Sequence, residues 1–303
     1  MWFVFALAAA CCFGLRGILY QWTSQKPIDR NLLLFGVYVS GTTIAITGNL
    51  FAQQQWSDGA WYGILMGIFS FLANASMYRG YAVGRPSVIA LFSGLPPFVV
   101  VVVAYIAWGE VLTTWQLFAF LIMILGLLCI KYSHDLKTGG LKGIQWGIMT
   151  MLFFGLTDVS VKQSTLAGAA TLPALIVMFA TGSLCFGFAW MLSNLNKKRA
   201  VRTAHGEQAA AEDGHVCHTD PNWSLQRTFG WGMIVGITNV AGMMFVLPAF
   251  REGTTGIVSA ISAMNVVIII LYARFFLKEE LAKNEVMGLA LAFLGIIVLR
   301  LNA

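Results

Sequence analysis

An all-α polytopic membrane protein, with ten transmembrane helices arranged as two inverted five-helix repeats, is the fold this sequence predicts. Composition is the first of three observations behind it. Of 303 residues, 58% are apolar and 11% charged, with a mean hydropathy of +0.76, whereas soluble domains run near a quarter charged. The second is that apolar runs of roughly 20 residues, enough for a helix to cross about 30 Å of hydrocarbon, recur almost throughout. A closed β-barrel would show short alternating segments in their place. The third is a duplication: Gly84–Lys131 recurs as Gly253–Arg300 at a constant offset of 169 positions, which carries Ser93 to Ser262, Glu110 to Glu279 and Gly126 to Gly295.

The helices are expected near 2–20, 31–51, 60–82, 86–108, 113–131, 143–165, 172–193, 228–250, 254–277 and 281–301. Short linkers with turn chemistry, such as Gly59, Gly84-Arg85-Pro86 and Gly139-Gly140, keep successive helices antiparallel. The offset extends back to the third helix, taking Gly63 to Gly232 and Gly67 to Gly236. For the first two helices it becomes 141, taking Phe13-Gly14-Leu15 to Phe154-Gly155-Leu156 and Gly41 to Gly182. The repeats are therefore 1–133 and 143–303, and the change of offset marks an insertion in the polar segment Asn194–Arg227, expected to be a mobile and dispensable loop. Because five is odd, the second copy enters the membrane from the opposite face. Inverted repeats of this kind characterise secondary transporters that rock about a mid-membrane site.

The net charge of +6 serves topology, not nucleic-acid binding, because the basic residues sit at helix ends. Lys26, Arg30, Arg79, Arg85, Lys131, Lys137, Lys142, Lys197, Lys198, Arg199, Arg202, Arg227, Arg274, Lys278 and Lys283 fall at odd-numbered loops, against Arg251 and Arg300 on the other side. The positive-inside rule then places both termini outside the cytoplasm. An integral protein of the bacterial inner membrane is the expected setting. Leu7-Ala8-Ala9-Ala10-Cys11 faintly resembles a lipoprotein cleavage box, but no basic residue precedes it, so a retained helix is expected. Four of the five cysteines lie within apolar runs, which gives no disulfide framework.

Leu91–Leu112, with Pro96 and Gly109-Glu110, followed by a helix carrying Gly126, resembles the end of an EamA domain. Phe276-Leu277-Lys278-Glu279-Glu280-Leu281, followed by Gly288 and Gly295, resembles the end of a second. The resemblance is to the drug/metabolite transporter superfamily, whose ten-helix members are two five-helix EamA repeats, and it covers essentially the whole chain. It implies a transporter and leaves the solute open among amino acids, sugars, nucleotide sugars, drugs and other metabolites. The chain departs from the pattern at Asn265, which stands where the first copy has Pro96, and at Phe13-Gly14, where Trp-Gly is usual.

Pro96-Pro97 falls near the middle of helix four, where proline removes a backbone donor and frees carbonyls around Phe92 and Ser93. Exposed backbone at that depth is tolerated only beside a cavity or packed protein. Pro96 is therefore a candidate substrate-site residue, as is Asn265 at the equivalent depth of helix nine, with a packing kink as the alternative. Arg16 in helix one, with Asp158 and Lys162 in helix six, are ionisable groups inside apolar runs, costly unless given a partner or a cavity. Asp158 and Lys162 are four apart and able to pair, so a structural ion pair with snorkelling of Arg16 and Lys162 is weighed against a role in the pathway. At about 1.5 Å per residue, Arg16 and Asp158 lie roughly 7 Å from the middles of their helices, displaced toward opposite faces, so a direct pair between them would have to stretch.

Ser70 and Asn74 share a face of helix three, and the offset maps them onto Asn239 and Met243 of helix eight. Asn74 and Asn239 are candidate pocket residues, interhelical glue being the alternative. The pairs Gly63 with Gly67 and Gly232 with Gly236 point to close helix packing. Glu110 and Glu279 stand just before helices five and ten, where the helix dipole favours a carboxylate. His215, Cys217 and His218 hint at soft-metal affinity within a polar stretch, but no metal or other cofactor is expected.

Helices one, three, four, six, eight and nine are thus expected to surround a central cavity, with helices five and ten peripheral. Arg16, Asn74, Pro96, Asp158, Lys162, Asn239 and Asn265 are the expected substrate-binding residues. Setting Arg16 and Lys162 against Asp158 makes the cavity net cationic, which suits a small carboxylate-bearing solute such as an amino acid, moved by alternating access. A proton or a counter-substrate is left open as a further partner, beside the lipid bilayer and the solute itself. A multidrug or organic-cation exporter is the alternative. No nucleophile with its base, phosphate-cradling loop or paired catalytic carboxylates supports an intramembrane enzyme, and the repeat makes a non-transporting scaffold unattractive. A monomer is expected, with a dimer as the alternative.

Overall fold

Inside hydrocarbon a chain must satisfy its backbone internally, and each long apolar run here does so as a helix. The computed structural model describes residues 1–24, 26, 28–83, 86–131, 143–207, 223–276, 278 and 283–301, and no strand occurs among them. In order they form α1 (Trp2–Ser24), α2 (Arg30–Ala52), a 3-10 helix (Asp58–Tyr62) leading into α3 (Gly63–Val83), α4 (Pro86–Ser93), α5 (Pro96–Trp108) and α6 (Thr114–Lys131). The second half comprises α7 (Ile144–Leu166), α8 (Thr171–Glu207), α9 (Leu225–Glu252), α10 (Thr255–Ala263), α11 (Asn265–Phe275) and α12 (Lys283–Leu301). Seven helical stretches are individually long and apolar enough to cross a bilayer. Spans four and nine are each divided in two, as α4 with α5 and α10 with α11. Helices thus stand at all ten expected positions among the described residues, and two of the ten are interrupted.

One expectation is corrected at α8. Asn194–Glu207, read from sequence as the start of a loop, continues the helix, which reaches 37 residues, about 55 Å at 1.5 Å per residue. The run holds two lysines, two arginines and two alanines, which are good helix formers and, in the aggregate, water-soluble. Residues 208–222, with His215, Cys217 and His218, lie outside the described residues, as does Glu279.

Exchange of the two halves maps α1 onto α7, α2 onto α8, α3 onto α9, α4 and α5 onto α10 and α11, and α6 onto α12. The packing follows that exchange. α1 packs on α9 as α7 packs on α3, α2 packs on α9 as α8 packs on α3, and α1 meets α10 and α11 as α7 meets α4 and α5. Two contacts lie on the pseudo-two-fold axis itself, α2 with α8 and α6 with α12, whereas α5 with α10 departs from the exchange, which would pair α11 with α4. At the first, Gly41 lies under the Phe179 ring and Gly182 under the Tyr38 ring, and Tyr38 and Phe179 are repeat mates. A methyl on either glycine would fall 2.4 Å and 2.1 Å, respectively, from the facing ring. At the second, Gly126 faces Gly288 and Ala292, while Gly295 faces Ala119 and Met123, the same contact seen from the other half. Gly63 and Gly67 lie against the α8 backbone, and Gly232 and Gly236 against that of α2, so these pairs mark close packing.

Polar contacts fasten the halves together on the face that carries the termini. Gly109, in the left-handed conformation with φ of 62°, ends α5, and the Glu110 amide bonds back to the Ala104 carbonyl. Glu110 is thereby aimed away from its own following helix, whose start is capped reciprocally by Thr113 and Gln116. Its carboxylate instead receives the Thr255 amide and, at 2.6 Å, the Thr255 hydroxyl, so a residue of the first half caps α10 of the second. From the other side of the same turn, Lys162 Nζ donates to the carbonyls of Phe250 at 2.8 Å and Gly253 at 3.2 Å, at the end of α9. A carboxylate at a helix N-terminus and an ammonium at a C-terminus both match the helix dipole. Trp108 Nε1 to Gln163 at 3.0 Å and Ser164 Oγ to the Gly59 carbonyl at 2.9 Å add further links on this face.

Two expected outcomes follow for the purified protein in detergent. Gly232→Ala places a methyl 2.2 Å from the Leu33 carbonyl oxygen, a backbone atom that cannot rotate away. It should lower the thermal unfolding midpoint by an overpacking cost of about 1–3 kcal/mol. Gly230→Ala, two residues away, meets nothing within 4 Å and should leave the midpoint unchanged. Lys162→Met strands two buried carbonyls and should cost roughly 1–3 kcal/mol, read the same way. An unchanged midpoint in Lys162→Met would show that this end of α9 is not held by the ammonium.

Candidate functional site

The site is built on two interrupted helices. In span four the Gly94 and Leu95 amides bond to the carbonyls three residues back, Leu91 and Phe92, each at 3.1 Å. The chain then restarts as α5 with Pro96 and Pro97 in its first turn, where a missing N–H leaves no helical bond unmade. Span nine repeats the device without proline: Met264 bonds to Ile261 at 3.0 Å and Val267 to Met264 at 2.9 Å, and α11 restarts at Asn265. Both restarts border one cavity of about 350 Å³. Its wall draws on spans one, three, four, six, eight and nine, with Tyr38 of α2 and Met178 of α8 in addition, and takes nothing from α6 or α12.

The wall obeys the same exchange of halves. Phe13 and Phe154, Ser70 and Asn239, Asn74 and Met243, Ser93 and Ser262, and Pro96 and Asn265 are repeat mates, and all of them line the cavity. So do Arg16 with its mate Thr157 and Asp158 with its mate Gly17. The scaffold is therefore doubled while the charges are not, since on the described wall each half carries one charged group facing an uncharged counterpart.

Arg16 and Asp158 form two separate poles. Arg16 Nη1 donates to Asn239 Oδ1 at 2.6 Å, and the guanidinium carbon lies 4.7 Å from the centre of the Phe13 ring and 5.9 Å from that of Tyr20. Its Nε is buried without a hydrogen-bond partner. Beside it Tyr38 and Ser70 share a short hydrogen bond, and Asn74 Nδ2 donates to the Ser70 carbonyl at 2.8 Å. Asp158 Oδ2 accepts from Ser259 Oγ at 2.5 Å. Because Gly14 and Gly17 pack on Ile268 and Ile269, the poles are separated by the stretch of span nine from Ser259 to about Ile269, roughly 15 Å along the axis.

Six of the seven residues singled out from sequence, Arg16, Asn74, Pro96, Asp158, Asn239 and Asn265, come together on this wall. Lys162 does not. It starts on the same helix face as Asp158, but its ammonium is taken by the carbonyls that end α9, and no ion pair joins the two among the described residues. The expectation of a net cationic cavity is corrected accordingly: the wall carries one guanidinium and one carboxylate. Tyr20, Tyr38, Ser259 and Ser262 also line it and were not singled out. Ser262, the repeat mate of Ser93 at the other break, could have been found from the offset. Ser259 has Ala90 as its mate and gave no such signal.

Comparison with known proteins bears on this geometry in three ways. No curated protein matches the chain. Among solved structures, one described as "Crystal structure of protein" superposes with a TM-score of 0.72 at 14% identity, covering 100% of this chain and 97% of that one, a likeness that shows the fold alone. The profile of the EamA-like transporter family matches residues 1–132 and again 141–301. With both halves matched, the chain belongs to the EamA-like transporter family, a family of membrane transporters of small solutes.

Proposed function

We propose that this transporter carries a small carboxylate-bearing solute, amino acids included, by alternating access between two packings of its repeats. The observation that carries the reading is the company kept by Arg16. Its hydrogen-bond partner is the neutral amide of Asn239, so the cation on the wall has no carboxylate against it among the described residues. A guanidinium presents parallel N–H donors that match a carboxylate in a bidentate pair. At about 350 Å³ the cavity is at the small end of ligand pockets, which run from about 300 to 1,000 Å³ and suit metabolites at that end. The polar contacts on the terminal face support alternating access, since they link the halves through a few exchangeable hydrogen bonds. The basic loops favour the opposite face as cytoplasmic, which would make the fastened face the external one. Asp158, the one carboxylate on the wall, favours a second reading, an exporter of organic cations.

A thermal-shift screen of the purified protein with small carboxylates and organic cations tests these against each other. Carboxylates are expected to bind, and Arg16→Ala to weaken them tenfold to a hundredfold, as loss of a charged hydrogen-bonded partner does on the order of 1.5–3 kcal/mol. Asn239→Asp, which supplies Arg16 with an internal carboxylate, should weaken them comparably. If organic cations alone bind and Arg16→Ala leaves them unaffected, the second reading is the correct one.

A further inference from the structure

Among the described residues no ion pair reaches Asp158. On its own helix the ammonium of Lys162 is directed at the Phe250 and Gly253 carbonyls. The helices packed against α7 are α3, α4, α5, α9 and α10. Among their described residues α4, α5 and α10 carry no ionisable side chain other than Tyr105, which is exposed. α3 offers Arg79, over the Trp146 ring at 5.7 Å near the far end, and Tyr78 close by. α9 offers Arg227 at its start, Arg251, bonded to the Ala169 carbonyl, and Glu252, beside the terminal ammonium. Glu110, just past α5, is occupied by Thr255, and Asp58 stands at the start of the 3-10 helix. The cavity's own cation, Arg16, is held at the other pole by Asn239. What remains for Asp158 is the Ser259 hydroxyl.

A carboxylate so placed is tolerable while water fills the cavity and costly once both faces close over it. Alternating access passes through that closed arrangement, so Asp158 requires a cation to pass with it. A hard metal ion would need about six oxygen ligands, whereas among the described residues the side-chain oxygen hydrogen-bonded to Asp158 is that of Ser259. A proton needs no shell. Nor can the ammonium of an α-amino acid serve while its own carboxylate is on Arg16, because the poles are roughly 15 Å apart along the axis.

Resting on the carboxylate reading above, we propose that Asp158 is a proton-binding site and that the solute is one of net charge −1, carried with one proton. The charge balance at each pole supports this. With the anion on Arg16 and the proton on Asp158, both poles are neutral. With the anion alone Asp158 stays charged, and with the proton alone Arg16 does. A zwitterion on Arg16 together with a proton on Asp158 leaves the cavity with one net positive charge. Solute and proton occupy separate places and move in the same direction; the proton comes from water on one side and is returned to water on the other.

Two measurements on the full-length protein test this. The first needs no solute. Infrared difference spectra between alkaline and acidic buffer should show, within the carbonyl stretch of protonated carboxyls, one component that is lost in Asp158→Asn and returns in Asp158→Glu. Difference bands that are identical in the wild-type protein and Asp158→Asn overturn the proton site. The second uses liposomes holding a pH-sensitive dye, with L-glutamate and its neutral isostere L-glutamine as probes. Glutamate entry should rise with external acidity and acidify the lumen, and Asp158→Asn should abolish that acidification. Glutamine moved in preference to glutamate, or sodium-driven entry indifferent to pH, overturns the proposal. A titrating band with neither probe carried leaves the proton site standing and counts against the carboxylate reading.

Discussion

Hydrocarbon supplies no partner for an unpaired amide or carbonyl, and that constraint organises this molecule. Two spans are interrupted at matching positions, one by Pro96 and Pro97 and one at Asn265, so both must turn their irregular backbone toward something other than lipid. Facing each other across the pseudo-two-fold axis solves the problem for both at once, and the space enclosed between them is the cavity. The remaining helices can then be understood as its walls and buttresses. α6 and α12 close tightly on each other through Gly126, Gly288 and Gly295 and leave the cavity to the rest.

Charge is handled differently at each of its buried positions. Lys162 is spent on structure, holding the carbonyl end of α9 while Glu110 holds the amide end of α10 across the same turn. Arg16 is sheltered by an amide and two aromatic rings, an arrangement that stabilises a cation without cancelling it. Asp158 has, among the described residues, the hydroxyl of Ser259. These three groups look alike in a hydropathy profile, and what separates them is the identity of the atoms at the ends of their side chains.

Much of the architecture was legible in the sequence because it is carried by length, composition and an offset that is constant over long stretches. The interruption at Asn265 has no proline to announce it and was reached only through its mate Pro96. What the sequence concealed is of one kind. Helical spacing says from which face a side chain departs, not where its end arrives, and so Lys162 read as a partner of Asp158 when it serves α9. Proximity in sequence suggested that Glu110 caps the helix that follows it, but Thr113 and Gln116 meet that need and Glu110 reaches the other half. A charged composition distinguishes water from lipid and not helix from loop, which is why the continuation of α8 to Glu207 was missed.

The doubling of the wall residues has a further consequence for vectoriality. A bundle whose helices pair off under exchange of its halves has little intrinsic up or down to distinguish one side of the membrane from the other, and its backbone departs from that symmetry where α5 meets α10. That distinction resides in the places where repeat mates differ, above all Arg16 opposite Thr157 and Gly17 opposite Asp158. What tells the two sides of this near-symmetric frame apart is thus a handful of wall side chains together with the basic residues gathered in the loops of one face.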